Sequence, residues 1–128
     1  MKKLIKLSVL IGCFLMVAAT AVSAQDFVRN ATNCDFEVRV AYGTVPGCSV
    51  AGFATVIVPA GTQISIGVGA EILYAKGRPT ATLGTVSCAF YIAQGLCAPY
   101  PISDTITDPS CCGGYTATLI PGFGIYIN

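Results

Sequence analysis

The sequence predicts an all-β fold, a small antiparallel β-sandwich or barrel of seven to eight strands with disulfides. Three observations lead there. Apolar residues recur with period two, and no stretch keeps a helical period. Turn residues separate the alternating runs. Six cysteines fall within the last hundred or so residues of a chain that begins like an exported protein.

Taken in order, positions 26–30 suggest an edge strand. Phe36, Val38, Val40 and Tyr42 then share one strand face, with Glu37 and Arg39 on the other. A more apolar strand covers 54–58 and ends at Val58-Pro59-Ala60-Gly61, which reads as a type I turn. Ile64, Ile66 and Val68 continue that hairpin with their own alternation. Further strands are expected over 71–76 and 85–93. At the end, 115–120 and 123–127 flank the turn dipeptide Pro121-Gly122, with Ile125 and Ile127 on one face and Tyr126 on the other. The segment 94–114 breaks the rhythm, holding Pro99, Pro101, Pro109 and three of the six cysteines. A connection of that length without structure of its own is uncommon and is either a surface loop with a purpose or a stapled crossover.

Export is read from the first residues. Lys2, Lys3 and Lys6 precede an apolar run from Leu7 to about Val22, which ends in Val22-Ser23-Ala24 before Gln25. A basic start, an apolar middle and a small-x-small exit form a secretory signal peptide. The expected organisation is a signal peptide over 1–24 and one disulfide-stapled all-β domain over 25–128. Leu10-Ile11-Gly12-Cys13 resembles a lipobox, but a cut there would leave the apolar run straddling it. A secreted, periplasmic or cell-surface location follows, with membrane contact only through the signal peptide before cleavage.

Removing 1–24 changes the sign of the charge. The remaining bases are Arg29, Arg39, Lys76 and Arg78; the acids are Asp26, Asp35, Glu37, Glu71, Asp104 and Asp108. Four bases against six acids give a net of −2, compared with +1 for the whole chain. No basic stripe remains for nucleic acid or an anionic membrane. Sparse charge and abundant apolar residues also exclude disorder.

Cys34, Cys48, Cys88, Cys97, Cys111 and Cys112 make an even set without any histidine, the pattern of three disulfides and not of a zinc site. Of the 15 pairings six cysteines allow, the three that join Cys111 to Cys112 would strain the peptide between neighbours. Twelve stay open, and in all of them the adjacent pair reaches two different parts of the fold.

Catalytic chemistry is sparse, and the expectation is a protein that is not an enzyme. Without histidine, Ser-His-Asp and Cys-His arrangements cannot form within the chain. Gly67-Val68-Gly69 lacks the helix that would hold a phosphate. Asp104 and Asp108 lack the dense spacing of a calcium loop, so neither a metal nor a cofactor is expected. Binding chemistry is better represented. Tyr42, Tyr74, Tyr91, Tyr100, Tyr115 and Tyr126 combine an apolar ring with a polar tip, a type favoured at interfaces. The candidate binding loop is 94–114, through Tyr100, Asp104, Thr105 and Asp108, with Tyr100 expected to be exposed. Two modification patterns occur, the sequon Asn30-Ala31-Thr32 and Asp104-Thr105-Ile106, which looks like an O-glycosylation acceptor.

The stretch Asn33-Cys34-Asp35-Phe36-Glu37-Val38-Arg39-Val40-Ala41 resembles the opening of thaumatin-like proteins, where a Cys precedes an aromatic-x-Val strand. The larger cysteine set and acidic cleft of that family have no counterpart, so its activities are not implied. As a whole the chain is similar to small, cysteine-rich, all-β exported proteins of Gram-negative bacteria, a likeness carried by Ser23-Ala24-Gln25 and Val58-Pro59-Ala60-Gly61-Thr62. The marks of a chaperone–usher pilin are missing, since position 115 is Tyr and position 127 is Ile.

The leading expectation is a non-enzymatic secreted or surface-associated module that binds a neutral ligand or a protein surface, with a glycan or protein partner. A second is a self-assembling subunit of a surface layer or fibre, a homo-oligomer joined through the uncharged final strand, 123–128. A third is a secreted inhibitor or toxin acting through 94–114.

Overall fold

The computed structural model describes residues 26–44, 47–67, 71–82, 88–95 and 97–128. The signal peptide expected over 1–24, Cys13, Val68 and the first part of the strand expected at 85–93 lie outside them. Among the described residues there are nine strands: β1 Phe27–Asn30, β2 Phe36–Thr44, β3 Ser49–Val58, β4 Gln63–Ser65, β5 Glu71–Pro79, β6 Phe90–Ala93, β7 Ser103–Ile106, β8 Tyr115–Ile120 and β9 Gly124–Ile127. They form a five-stranded sheet in the order β4-β1-β9-β8-β7 and a four-stranded sheet in the order β3-β2-β5-β6. The all-β sandwich expected from the sequence is the observed fold, with nine strands instead of seven or eight.

Period-two alternation positions the core. In β2, Phe36, Val38 and Val40 are fully buried; in β9, Ile125 and Ile127 are buried and Tyr126 is half-exposed. Phe90, Ile92, Ala117 and Leu119 complete the layer between the sheets. Burying each large apolar side chain contributes roughly 1.5–3 kcal/mol, which favours stacking the two sheets over leaving either alone. Tyr115 of β8 is the wedge across that layer. Its ring meets Phe36 edge-on at 4.8 Å and Phe90 at 6.1 Å, and its hydroxyl donates to the Cys88 carbonyl. Burial, reinforced by the negative charge of Asp104, pushes the phenol far above its ordinary range, so it stays protonated and remains a donor.

Four expected features are placed differently. The turn after β3 is displaced by one residue: the Thr62 N–H donates to the Pro59 carbonyl at 3.2 Å, with Gly61 at φ 69°. That is the conformation in which Gly occupies the third position of a type II turn. The turn does not close a hairpin, because β4 crosses to the other sheet and pairs with β1. The opening strand β1 is not an edge either. It lies between β4 and β9, running parallel to β9, while every other strand pair is antiparallel. Gly124 makes this possible: it adopts φ 133°, and a Cβ there would sit 2.0 Å from the Phe27 carbonyl oxygen. The final strand β9 is interior, flanked by β1 and β8, so it offers no free edge for assembly. Finally, the segment expected to lack structure contains β7, paired to β8 in register Ser103↔Thr118 to Ile106↔Tyr115.

The disulfides are Cys34–Cys112, Cys48–Cys97 and Cys88–Cys111. Adjacent Cys111 and Cys112 therefore reach opposite directions, toward the approach to β6 and toward the β1–β2 connection. A second tie is polar. Asn30, fully buried at the end of β1, donates its amide to the Cys34 carbonyl at 2.7 Å and the Val58 carbonyl at 3.0 Å. Its carbonyl accepts from the Thr32 N–H and hydroxyl at 3.0 and 2.7 Å. The sequon asparagine is thus a structural knot with no part exposed.

Asp26 is buried, and one of its carboxylate oxygens has no hydrogen-bond partner. Burial raises its pKa above the ordinary carboxylate value, against the pull of the Ile72 amide and with a further push from Glu71. Because the folded-state pKa is the higher one, the charge costs nothing below the unfolded value and an increasing amount as pH rises through the folded value. Asp26→Asn is therefore expected to raise the melting temperature at pH 7, with the gain vanishing toward pH 3.5. Thermal melts of both chains across that range test it.

Candidate functional site

The outer face of the four-stranded sheet carries the molecule's densest group of rings and cations. Register sets its rows. Thr55, Arg39, Lys76 and Tyr91 lie side by side across β3, β2, β5 and β6, and the next row brings Phe53, Ala41 and Tyr74 together. Ala41 is small and covered, and the Phe53 and Tyr74 rings meet edge-on at 6.5 Å. At the other side Tyr91 contacts Tyr100 from the segment after β6, with ring centroids 5.3 Å apart. Between the two ring pairs runs a trough of 290 Å³ lined by Arg39, Phe53, Tyr74, Lys76, Tyr91 and Tyr100, with Ala41 and Ala75 beside them.

The electrostatics of this face are unusual for a domain of net −2. Arg39 and Lys76 are direct cross-strand partners. Like charges opposite each other on a sheet destabilise it. Arg39 lies over the Phe53 ring, its Cζ 5.0 Å from the centroid. Among the described residues no ion pair engages either cation. The acids are occupied elsewhere. Asp35 accepts from the Ala60 N–H at 2.9 Å, Asp104 from the Tyr91 N–H at 3.0 Å, and Asp108 from the Ser110 N–H and hydroxyl. Glu37 lies one row away, opposite Arg78, and Glu71, opposite Gly43, accepts from the Gln94 amide.

The loop residues expected to form a site separate in the structure. Tyr100 is exposed, as its position between prolines suggests, and joins the trough. Asp104 serves the backbone of β6. Thr105 exchanges a hydroxyl hydrogen bond of 3.0 Å with Thr116 on the outer face of the other sheet, and Ser103 does the same with Thr118 at 2.9 Å. Asp108 closes a local turn, and the hydroxyl and amide of Ser110 hold its carboxyl below the ordinary range. Arg39, Phe53, Lys76 and Tyr91 were not expected as site residues. Each sits on a different strand, and only the alternation of Glu37 and Arg39 hinted that this face was solvent-directed.

The fold and this face define a disulfide-stapled β-sandwich with an aromatic and cationic trough. No family model, no curated protein and no solved structure matches the chain.

Proposed function

We propose that the protein is a non-enzymatic binding module working outside the cytoplasm, in the periplasm, at the cell surface or after secretion, and that its ligand occupies the trough. The single observation that carries this reading is the gathering of four exposed or half-exposed rings around two unpaired cations, Arg39 and Lys76, on a sheet face that the core does not need. Three disulfides support an oxidising compartment. Aromatic side chains at a solvent-facing trough are the residue type that dominates binding energy when a ligand covers them.

A glycan array and a cell-surface pull-down with the oxidised protein test the reading. Tyr91→Ala/Tyr100→Ala is expected to lose at least about tenfold in affinity for whatever is captured, the scale of losing ~1.4 kcal/mol at a hot spot. Its melting temperature should stay near that of the parent. Unchanged capture by the variant would count against the trough.

A second reading, self-association, is favoured by β3. This strand is a sheet edge of ten residues without charge or proline, and Val50, Phe53 and Ile57 are exposed along it. An edge of that kind recruits another strand. The opposite edge, β6, is sealed by Asp104 on the Tyr91 N–H and by the Pro101 carbonyl on the Ala93 N–H at 2.8 Å. Light scattering at rising concentration should detect a dimer, and Ala51→Lys should abolish it. A parent chain that stays monomeric at its highest soluble concentration would end this reading. For the inhibitor or toxin alternative, the observation left in its favour is Tyr100, the one residue of the 94–114 set that lines the trough.

A further inference from the structure

Resting on the binding-module reading, we infer that the ligand is an acidic polysaccharide, a chain of sugar rings bearing carboxylates, laid across β3, β2, β5 and β6. Three features of the trough lead to this class. Its centre is Arg39 beside Lys76, a like-charged pair that the sheet would be more stable without and that no carboxylate among the described residues meets in an ion pair, Glu37 lying one row away opposite Arg78. An anion delivered by a ligand supplies the missing partner. The Arg39 guanidinium lies over the Phe53 ring, and a guanidinium is the side chain whose planar fork matches a carboxylate's two oxygens.

Rings border the cations in the next row and at the β6 end. Phe53 with Tyr74 forms one wall and Tyr91 with Tyr100 the other. The flat C–H faces of pyranose rings pack against such aromatic walls, while their hydroxyls remain in water. Length agrees as well. From β3 to β6 is three strand spacings, roughly 14 Å, enough for about three sugar rings at ~5 Å each. Along that distance one row presents Thr55, Arg39, Lys76 and Tyr91, and the row beside it presents Phe53, Ala41 and Tyr74, so a ligand meets the cations with rings alongside them and Tyr91 at the far end. The sequence alone pointed to neutral ligands because the net charge is −2. Net charge is the wrong scale here, since Asp35, Asp104 and Asp108 are spent on backbone amides while Arg39 and Lys76 stay free.

Affinity electrophoresis of the oxidised protein through gels containing polygalacturonate, its methyl-esterified neutral form, heparin or single-stranded DNA tests the inference. Polygalacturonate should bind at least about tenfold tighter than the esterified polymer, because the sugar backbone is shared and only the charge differs. That affinity should fall between ~20 and ~500 mM NaCl as screening grows. Arg39→Gln/Lys76→Gln should lose tenfold or more while melting at the parent's temperature or above it. Weakened binding together with unimpaired stability is the signature of a repulsive pair kept for a ligand. Arg39→Gln alone should show an intermediate loss, and provides a second variant if the double one is poorly soluble.

Equal affinity for the esterified and acidic polymers would overturn the inference while leaving the trough as a binding site, provided Tyr91→Ala/Tyr100→Ala still weakens both. A preference for DNA or heparin would overturn it in favour of phosphate or sulfate. Undiminished polygalacturonate binding by Arg39→Gln/Lys76→Gln, or no binding of any of the four probes, would also overturn it. In that last case the array and pull-down decide separately whether the trough binds at all.

Discussion

Replacing Cys34 and Cys112 together by alanine is expected to lower the free energy of unfolding by about 4 kcal/mol, on the order of half the stability of a small domain. The bridge closes a separation of 78 residues, against 49 for Cys48–Cys97 and 23 for Cys88–Cys111. Loop-closure entropy taken one bridge at a time gives roughly 4.5, 4.1 and 3.4 kcal/mol in that order. The closures overlap, so each loss in the presence of the other two is smaller than its single value. Cys88 and Cys111 are both fully buried, which adds the cost of emptied core volume to the smallest entropy and narrows the ranking. Urea titration of the three oxidised double variants measures this directly. A midpoint for Cys34→Ala/Cys112→Ala that matches the parent would refute the argument. Complete reduction should unfold the protein at or near room temperature.

Asn30→Ala is the second large expectation, a loss of about 3 kcal/mol. The substitution strips the asparagine partner from the Val58 carbonyl and the Thr32 N–H and leaves the Cys34 carbonyl only the Thr32 hydroxyl at 3.2 Å, all at a site closed to water around the asparagine. Each buried polar group left unsatisfied costs about 1–3 kcal/mol, and rearrangement recovers part of that sum. Asn30→Asp separates donor loss from size. It keeps the acceptor for Thr32, loses both amide donors and aims a negative charge at two carbonyl oxygens. It should therefore be at least as unstable as Asn30→Ala at pH 7 and recover on acidification, when the protonated acid can donate again. Equal melting temperatures for the parent and Asn30→Ala would show that the knot contributes nothing.

The same residue illustrates what a linear reading can see. Asn30-Ala31-Thr32 reads as a sequon because the pattern is local, and Cys34 is only four residues away, whereas Val58, the partner that ties Asn30 across the fold, comes from β3 in the other sheet. Local signals were legible throughout: the alternation of β2, the Pro121-Gly122 turn between β8 and β9, and the even cysteine set. Period two states which face of a strand is buried but not which strand lies beside it. That is why β1 and β9 looked like edges and the chain's crossing after Pro59 looked like a hairpin. Strand β7 was hidden for a different reason. Its outward residues Ser103 and Thr105 are hydroxylic, its neighbours include Pro101 and Asp108, and its pairing energy comes from β8. The trough needed the register of four strands. Of its ring residues, Tyr100 was visible from sequence because prolines flank it, while Arg39 and Lys76 are 37 positions apart and become neighbours only through β2–β5 pairing.

The sealing of β6 and the openness of β3 have a geometric consequence. Among the described residues the four-stranded sheet therefore has one open edge. Joining two copies antiparallel through β3 would place a two-fold axis perpendicular to the sheet and use up both of these edges, so growth through β3 would stop at a pair. The continuous sheet would have eight strands, with the two troughs on the same side because an axis normal to the sheet preserves its faces. Phe53 belongs to β3 itself, so the two sites would lie close across the seam. For a polymer carrying repeated charges, such a pair is a bivalent reader: the second contact is intramolecular, and avidity grows without any new kind of contact.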